Sequence, residues 1–174
     1  TGTKPDLSLA RDCGLEIGVT GGVLVDEHMR TSDPDIYCVG DMAEVRNSVT
    51  GAKVVSALAG PANKQGRIAA NNIAGLDSIY KGIQGTSVLK VFDLTAAVTG
   101  ASEKTLKALG MKYEKIYCSP WHHASYYPGA RHLMMKLLFN PDDGRVYGAQ
   151  AVGVNGVDKR IDVLATAIKF GATI

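Results

Sequence analysis

The chain lacks the short glycine- and histidine-based turns on which the common nucleotide-, metal- and serine-dependent enzymes are built. There is no GxGxxG, no GxxxxGK[ST], no HExxH and no GxSxG. The first absence excludes a complete dinucleotide-binding unit, because the turn that cradles a pyrophosphate is missing; the others exclude a P-loop, a zincin helix and a nucleophile elbow. Charge of one sign is scarce as well. Nineteen Lys+Arg against 17 Asp+Glu leave a net +2, with no concentrated basic surface, so nucleic acid is not an expected partner. No apolar run approaches the roughly 18 residues of a spanning helix, and the opening Thr-Gly-Thr-Lys-Pro-Asp has neither part of a signal peptide. No membrane association and a cytoplasmic location are therefore expected. Cysteine is limited to Cys13, Cys38 and Cys118, odd in number and widely spaced, which leaves no disulfide framework and no CxxC pair. His122 and His123 are adjacent and cannot easily face one ion, so no metal is expected.

What is present suits two small globular units. At 174 residues, 45% hydrophobic, the chain can build a core without covalent staples. Thr3 to Leu9 reads as a turn entering a short helix that stops at Gly14. Gly21 and Gly22 lead into a strand at Val23 to Val25, and Ile36 to Val39 reads as a short buried strand with Cys38 as a small buried hydrophobe. After a polar loop, Val54 to Ile73 is helical and rich in small residues that allow close packing. The polar, glycine-punctuated stretch from about Gly75 to Gly85 reads as a boundary. Beyond it Val88 to Thr99 is strand-like and Ser102 caps a helix that Gly110 ends. Tyr113 to Cys118 is a strand, and Leu133 to Phe139 and Val146 to Val154 flank a turn cluster at Asn140–Arg145 as a hairpin. Val157, Ile161, Leu164 and Ile168 mark an amphipathic last helix.

Two stretches can carry chemistry. The first is Thr31-Ser32-Asp33-Pro34-Asp35-Ile36-Tyr37-Cys38-Val39-Gly40-Asp41. A buried strand ending in Gly-Asp sets a carboxylate at the carboxyl edge of a sheet, where open α/β sheets bind ligands. Gly40 admits a ligand to the backbone, and Asp41 can accept hydrogen bonds from a polyol; the alternative is that Asp41 only caps the next turn. The second is Leu58-Ala59-Gly60-Pro61-Ala62-Asn63-Lys64-Gln65-Gly66-Arg67. Pro61 suits the first turn of a helix, whose free N–H groups and positive dipole end would stabilise negative charge; the alternative is a longer helix kinked at Pro61.

Together these motifs resemble the second FAD-contacting part of the pyridine nucleotide-disulfide oxidoreductases, and within them the coenzyme A-disulfide reductase and NADH oxidase branch. The resemblance extends to Ser125-Tyr126-Tyr127-Pro128-Gly129-Ala130 and to Gly153-Val154-Asn155-Gly156-Val157-Asp158-Lys159-Arg160-Ile161-Asp162, which are similar to that branch's dimerisation domain. It implies α/β and α+β architecture: the end of a Rossmann-like FAD-binding domain at 1–80, then an α+β dimerisation domain with an antiparallel sheet at 81–174, truncated at its C-terminus. It implies FAD contacts at Gly40, Asp41, Ala59, Gly60, Pro61 and Ala62, with Asp41 on the ribityl chain or pyrophosphate region and Ala59–Ala62 against the flavin pyrimidine.

From the partner subunit's dimerisation domain, Tyr126 or Tyr127 would reach the disulfide site as a catalytic proton donor; the alternative for both is interface packing. Asp158, Lys159, Arg160 and Asp162 read as a solvated or interface charge network, with contact to coenzyme A phosphates the alternative for Lys159 and Arg160. The parent would be a homodimer passing electrons from NAD(P)H through FAD to a small-molecule disulfide, a persulfide or dioxygen. Both GxGxxG turns and the redox cysteine of the family are missing from this chain, so it reads as a fragment expected to be inactive and to hold flavin weakly if at all. The rival reading is an autonomous self-association module without catalysis.

Overall fold

The computed structural model describes residues 4–174, and the chain divides into two compact units, one running to Ile83 and one from Gln84 to Ile174. The first unit opens on helix α1 (Ser8–Asp12), which Gly14 ends with a positive φ of 71°. The start of the turn expected from Thr3 lies outside the described residues. Strand β1 (Val23–Leu24) pairs in parallel with β2 (Ala43–Arg46), which pairs antiparallel with β3 (Lys53–Val54). Helix α2 (Ala59–Ile73) follows. Val25, Met29, Ala43, Val45, Ala69 and Ile83 form the core between sheet and helix.

Three sequence expectations change here. Ile36 to Val39 is not a buried strand. Its backbone pairs only with the chain just before it, Thr31 N–H donating to Ile36 O at 2.9 Å and Cys38 N–H to Met29 O at 3.1 Å. With no partner on its other edge among the described residues it is extended but only half-buried, Tyr37 forming a single bridge with Arg30, and Val39 is exposed. Cys38 is half-buried as well, packed beside the core, and that burial pushes its thiol upward. As a result Asp41 does not end a sheet strand. It sits in a 3-10 turn, Gly40–Met42, that feeds the amino end of β2. Finally, α2 starts at Ala59 rather than Val54, because Val54 belongs to β3; Pro61 lies in the first turn and no kink is needed.

The second unit is a five-stranded antiparallel sheet, β4 (Ser87–Val91), β5 (Leu94–Gly100), β6 (Glu114–Cys118), β7 (Met134–Phe139) and β8 (Val146–Gly153), in the spatial order β4-β5-β8-β7-β6. The single run expected at Val88 to Thr99 folds back on itself: Phe92, with φ +51°, takes the turn between β4 and β5. No Gly, Pro or Asn marks that turn, so the pattern concealed it. Helix α3 (Glu103–Ala108) carries the expected cap, Ser102 Oγ accepting from Thr105 N–H at 3.1 Å. Helix α4 (Val157–Lys169) buries Val157, Ile161 and Ile168 at the predicted spacing, and Ala97, Ala149 and Ala151 beneath it let helix and sheet approach closely.

Strand alternation assigns the sheet's other face. There Leu89, Val91, Leu94, Val98, Met134 and Val152 stand exposed, Val152 pairing with Ala96 on one side and Met134 on the other. An apolar sheet face of this kind in water marks a surface that another body covers.

Candidate functional site

In the first unit the two sequence motifs meet. Gly40 has φ +76°, a conformation that costs a side-chain-bearing residue strain, and a Cβ built there would stand 3.7 Å from Ala62 Cβ. The Gly40–Met42 turn therefore lies against the first turns of α2. Gln65 locks the contact. It is 3% exposed, and its Oε1 accepts the Gly40 N–H at 2.7 Å. Burial pushes the nearby Tyr80 phenol upward, an effect that Gln65 partly offsets.

The start of α2 is open. Leu58 occupies the cap position with extended backbone and supplies no side-chain acceptor. Ala62 N–H returns to Leu58 O at 3.2 Å, Pro61 has no N–H, and helix geometry leaves those of Ala59 and Gly60 without an intrahelical acceptor. Ala59 and Gly60 are exposed and have almost no side chain, and no heavy atom lies within 4 Å of a Cβ placed on Gly60. Asp41 is exposed beside this helix tip, on the turn that Gln65 holds. The arrangement offers two backbone donors and a positive dipole end to negative charge, and a carboxylate to hydroxyl groups. The two donors suit a flavin carbonyl region, and the carboxylate acceptor suits the hydroxyl groups of a polyol chain. A cavity of about 490 Å³ in the same unit, lined by residues including Lys4, Arg11 and Thr20, shares none of these residues.

In the second unit the sequence singled out a loop. Its base is fixed by Leu133 N–H donating to Pro120 O and His122 N–H to Arg131 O, both at 3.0 Å, and by Trp121 stacked on His132 with ring centroids 3.8 Å apart. Its tip turns at Ala124–Tyr127 and presents Tyr126 and Tyr127, 83% and 60% exposed, with ring centroids 5.1 Å apart. Lys159 is exposed, whereas Arg160 is half-buried and directs its guanidinium at backbone carbonyls rather than outward. Among the described residues no cluster of His, Cys, Asp or Glu could hold a metal ion, and no helix is long and apolar enough to cross a membrane.

Residues 86–174 match the dimerisation domain of the pyridine nucleotide-disulphide oxidoreductases, and residues 1–66 match a second domain of the same family. The chain belongs to that family. Over 173 residues it is 36% identical to the NAD(P)H sulfur oxidoreductase (CoA-dependent) of Pyrococcus furiosus, covering 99% of this chain and 39% of the relative. An NADH oxidase of Methanocaldococcus jannaschii is 37% identical over 170 residues, 97% of this chain and 37% of that protein. Among solved structures, reduced CoADR-RHD of Bacillus anthracis superposes with a TM-score of 0.95 at 52% identity, covering 99% of this chain and 31% of that one. The NAD-dependent persulfide reductase of A. fulgidus gives 0.96 at 45%, covering 99% and 32%. The chain thus spans less than two-fifths of the length of these relatives. Membership of the family implies flavin and nicotinamide cofactors.

Two residues with structural consequence carried no assigned role in the sequence. Gln65 lies inside the quoted motif, four residues after Pro61, yet its partner is 25 residues away. Glu44, 1% exposed, accepts from both the N–H and the hydroxyl of Thr20 at 2.6 Å and stiffens the start of β2. A glutamate amid apolar neighbours in a strand is the only signal either residue offered.

Proposed function

We propose that residues 1–80 are the C-terminal part of an FAD-binding domain and 81–174 the dimerisation domain of a homodimeric enzyme that reduces a small disulfide or persulfide of the coenzyme A class with NAD(P)H. The observation that carries this reading is the Gly40–Asp41 turn held by Gln65 against the uncapped tip of α2. When bound, the flavin would take up a hydride from NAD(P)H and deliver two electrons to the disulfide. Asp41 would accept hydrogen bonds from hydroxyl groups of the ribityl chain, near the pyrophosphate region. The N–H groups of Ala59 and Gly60, with the dipole of α2, would stabilise the negative charge that a reduced flavin carries at its pyrimidine, and because they are fixed beforehand they would need no reorganisation. The small side chains at Ala59, Gly60 and Ala62 and the ring of Pro61 let the ring system approach the backbone.

Tyr126 and Tyr127 are the candidate catalytic residues of the second unit. A phenol O–H can donate a proton to a departing thiolate, and from the exposed loop tip it would do so in the partner subunit. The exposed apolar sheet face around Val98 and Val152 supports self-association through this unit. Similarity to a sulfur oxidoreductase of P. furiosus and a persulfide reductase of A. fulgidus supports a sulfur acceptor, and the NADH oxidase of M. jannaschii keeps dioxygen as the alternative.

The test is the full-length gene product. It should purify with one flavin per chain and oxidise NAD(P)H in the presence of coenzyme A disulfide or a persulfide, and Asp41→Ala should lose flavin. A full-length protein that binds no flavin removes the reading and leaves the self-association module, to which the apolar sheet face alone would then belong.

A further inference from the structure

We propose that Arg160 is a positioning residue for Tyr126 and Tyr127, acting through the backbone carbonyls of Trp121 and His122; this rests on the tyrosine role proposed above. Arg160 lies in the first turn of α4. One guanidinium nitrogen, Nη2, donates to Trp121 O at 2.9 Å and to His122 O at 3.4 Å, and the other, Nη1, to Gly156 O at 3.3 Å. The side chain therefore ties a helix anchored in the core, through buried Val157 and Ile161, to the segment entering the tyrosine loop.

From that tie the contacts run to the tip. The ring of His122 meets Gly129 O at 3.3 Å across the loop, His123 stands edge-on to His122 at 4.1 Å, and Tyr127 is edge-on to His123 at 6.1 Å. A loop that is exposed along its tip would otherwise sample many arrangements, and fixing its root removes that freedom in advance. Gly156 belongs to the same device. With φ +72° it caps α4, and a Cβ there would lie 3.1 Å from Arg160 Nη1, so the absent side chain makes room for the guanidinium. Lysine can reproduce only part of the link, because a single ammonium cannot serve two carbonyl groups on one side and a third on the other in a fixed plane. With both Nη atoms committed to carbonyls, Arg160 is poorly disposed to receive a phosphate.

The experiment uses the full-length flavoenzyme and rapid mixing, which separates flavin reduction by NAD(P)H from reoxidation by coenzyme A disulfide. Arg160→Gln should slow reoxidation about tenfold or more at saturating acceptor, while flavin reduction, flavin content and melting temperature stay at wild-type values. Arg160→Lys should recover part of the rate, and Gly156→Ala should reproduce the defect if Arg160→Gln does not fold. In a Tyr126→Phe/Tyr127→Phe background, itself slow, Arg160→Gln should add nothing further. Reoxidation at the wild-type rate in Arg160→Gln, with the double phenylalanine enzyme slow, overturns the inference alone. An equal further slowing in the double phenylalanine background also overturns it, since Arg160 would then act elsewhere. Wild-type reoxidation in the double phenylalanine enzyme removes the tyrosine role and this inference together.

Discussion

Replacing Gln65 by Leu should loosen the proposed flavin site without hollowing the core. The two side chains have similar volume and the position is 3% exposed, so the packing change is small and the loss is one acceptor. Gln65 Oε1 is 2.7 Å from the Gly40 N–H, and without it that donor is left facing an apolar group. An orphaned buried donor costs about 1–3 kcal/mol. Gly40 is only half-buried, so water can repay part of this, and about 1–2 kcal/mol is the expected penalty. Because the turn being released carries Asp41, that energy falls on the flavin-binding conformation, and a 1–2 kcal/mol loss corresponds to a roughly 5- to 30-fold weaker apparent affinity. Titrating the full-length apoprotein with flavin, followed by fluorescence quenching, measures it. Arg67→Leu on the exposed side of the same helix serves as the control and should leave affinity unchanged. Wild-type affinity in Gln65→Leu, or an equal loss in the control, would refute the role given to this hydrogen bond.

Gly40→Ala should lower the melting temperature by the equivalent of about 1–2 kcal/mol from left-handed strain alone, since its new Cβ would meet Ala62 at an ordinary 3.7 Å; a much larger loss would show that the turn is packed more tightly than described. Glu103 receives Lys136, Lys115, Tyr113 and Lys107, and these partners, Lys136 foremost, hold its carboxyl well below the usual carboxylate range. A folded pKa below the unfolded one gives stability that is present above the ordinary pKa of about 4 and lost as pH falls below it. The stability gap between wild type and Glu103→Gln, from denaturant titrations, should stay constant from about pH 8 to pH 5 and narrow in acid; a gap that widens in acid would contradict the assignment. Val152→Lys, on the open sheet face between Ala96 and Met134, should weaken self-association at least tenfold in sedimentation experiments while leaving the melting temperature within a degree or two, because Val152 is already 43% exposed. Unchanged association would move the interface to another face.

Much of the second unit was legible because its local signals agree with its tertiary fate. Ser102 is a cap by chemistry and by position, Asn140–Arg145 has the turn residues a hairpin needs, and the spacing of Val157, Ile161, Leu164 and Ile168 is the face that α4 buries. The miss at Phe92 has the opposite cause. A phenylalanine with positive φ violates its own preference, and the sheet pairing of Ser87–Val91 with Leu94–Val98 outweighs that local cost. Ile36 to Val39 misled for a related reason. An apolar run implies burial, but pairing needs a neighbouring strand, and among the described residues the only one paired with it is the segment just before it.

The candidate site was half legible. Gly40, Asp41 and Pro61 could be picked out because each has a conformational or chemical property that the motif requires, and the fold brings Gly40 and Ala62 into contact as a shared ligand would demand. Gln65 and Arg160 could not be read from the sequence, since their partners are a backbone N–H and backbone carbonyls, groups that every residue carries and no side-chain pattern encodes. Each lies in the second turn or at the end of the first turn of a helix and reaches back to a loop 25 to 39 residues earlier. A polar side chain at that place in a helix, flanked by residues that do bury apolar surface, holds a functional loop whose own residues make few apolar contacts. In this chain the groups proposed to meet the ligand sit on loops and a helix tip, and the side chains that fix them sit on helices, so a substitution at Gln65 or Arg160 should impair function before it impairs folding.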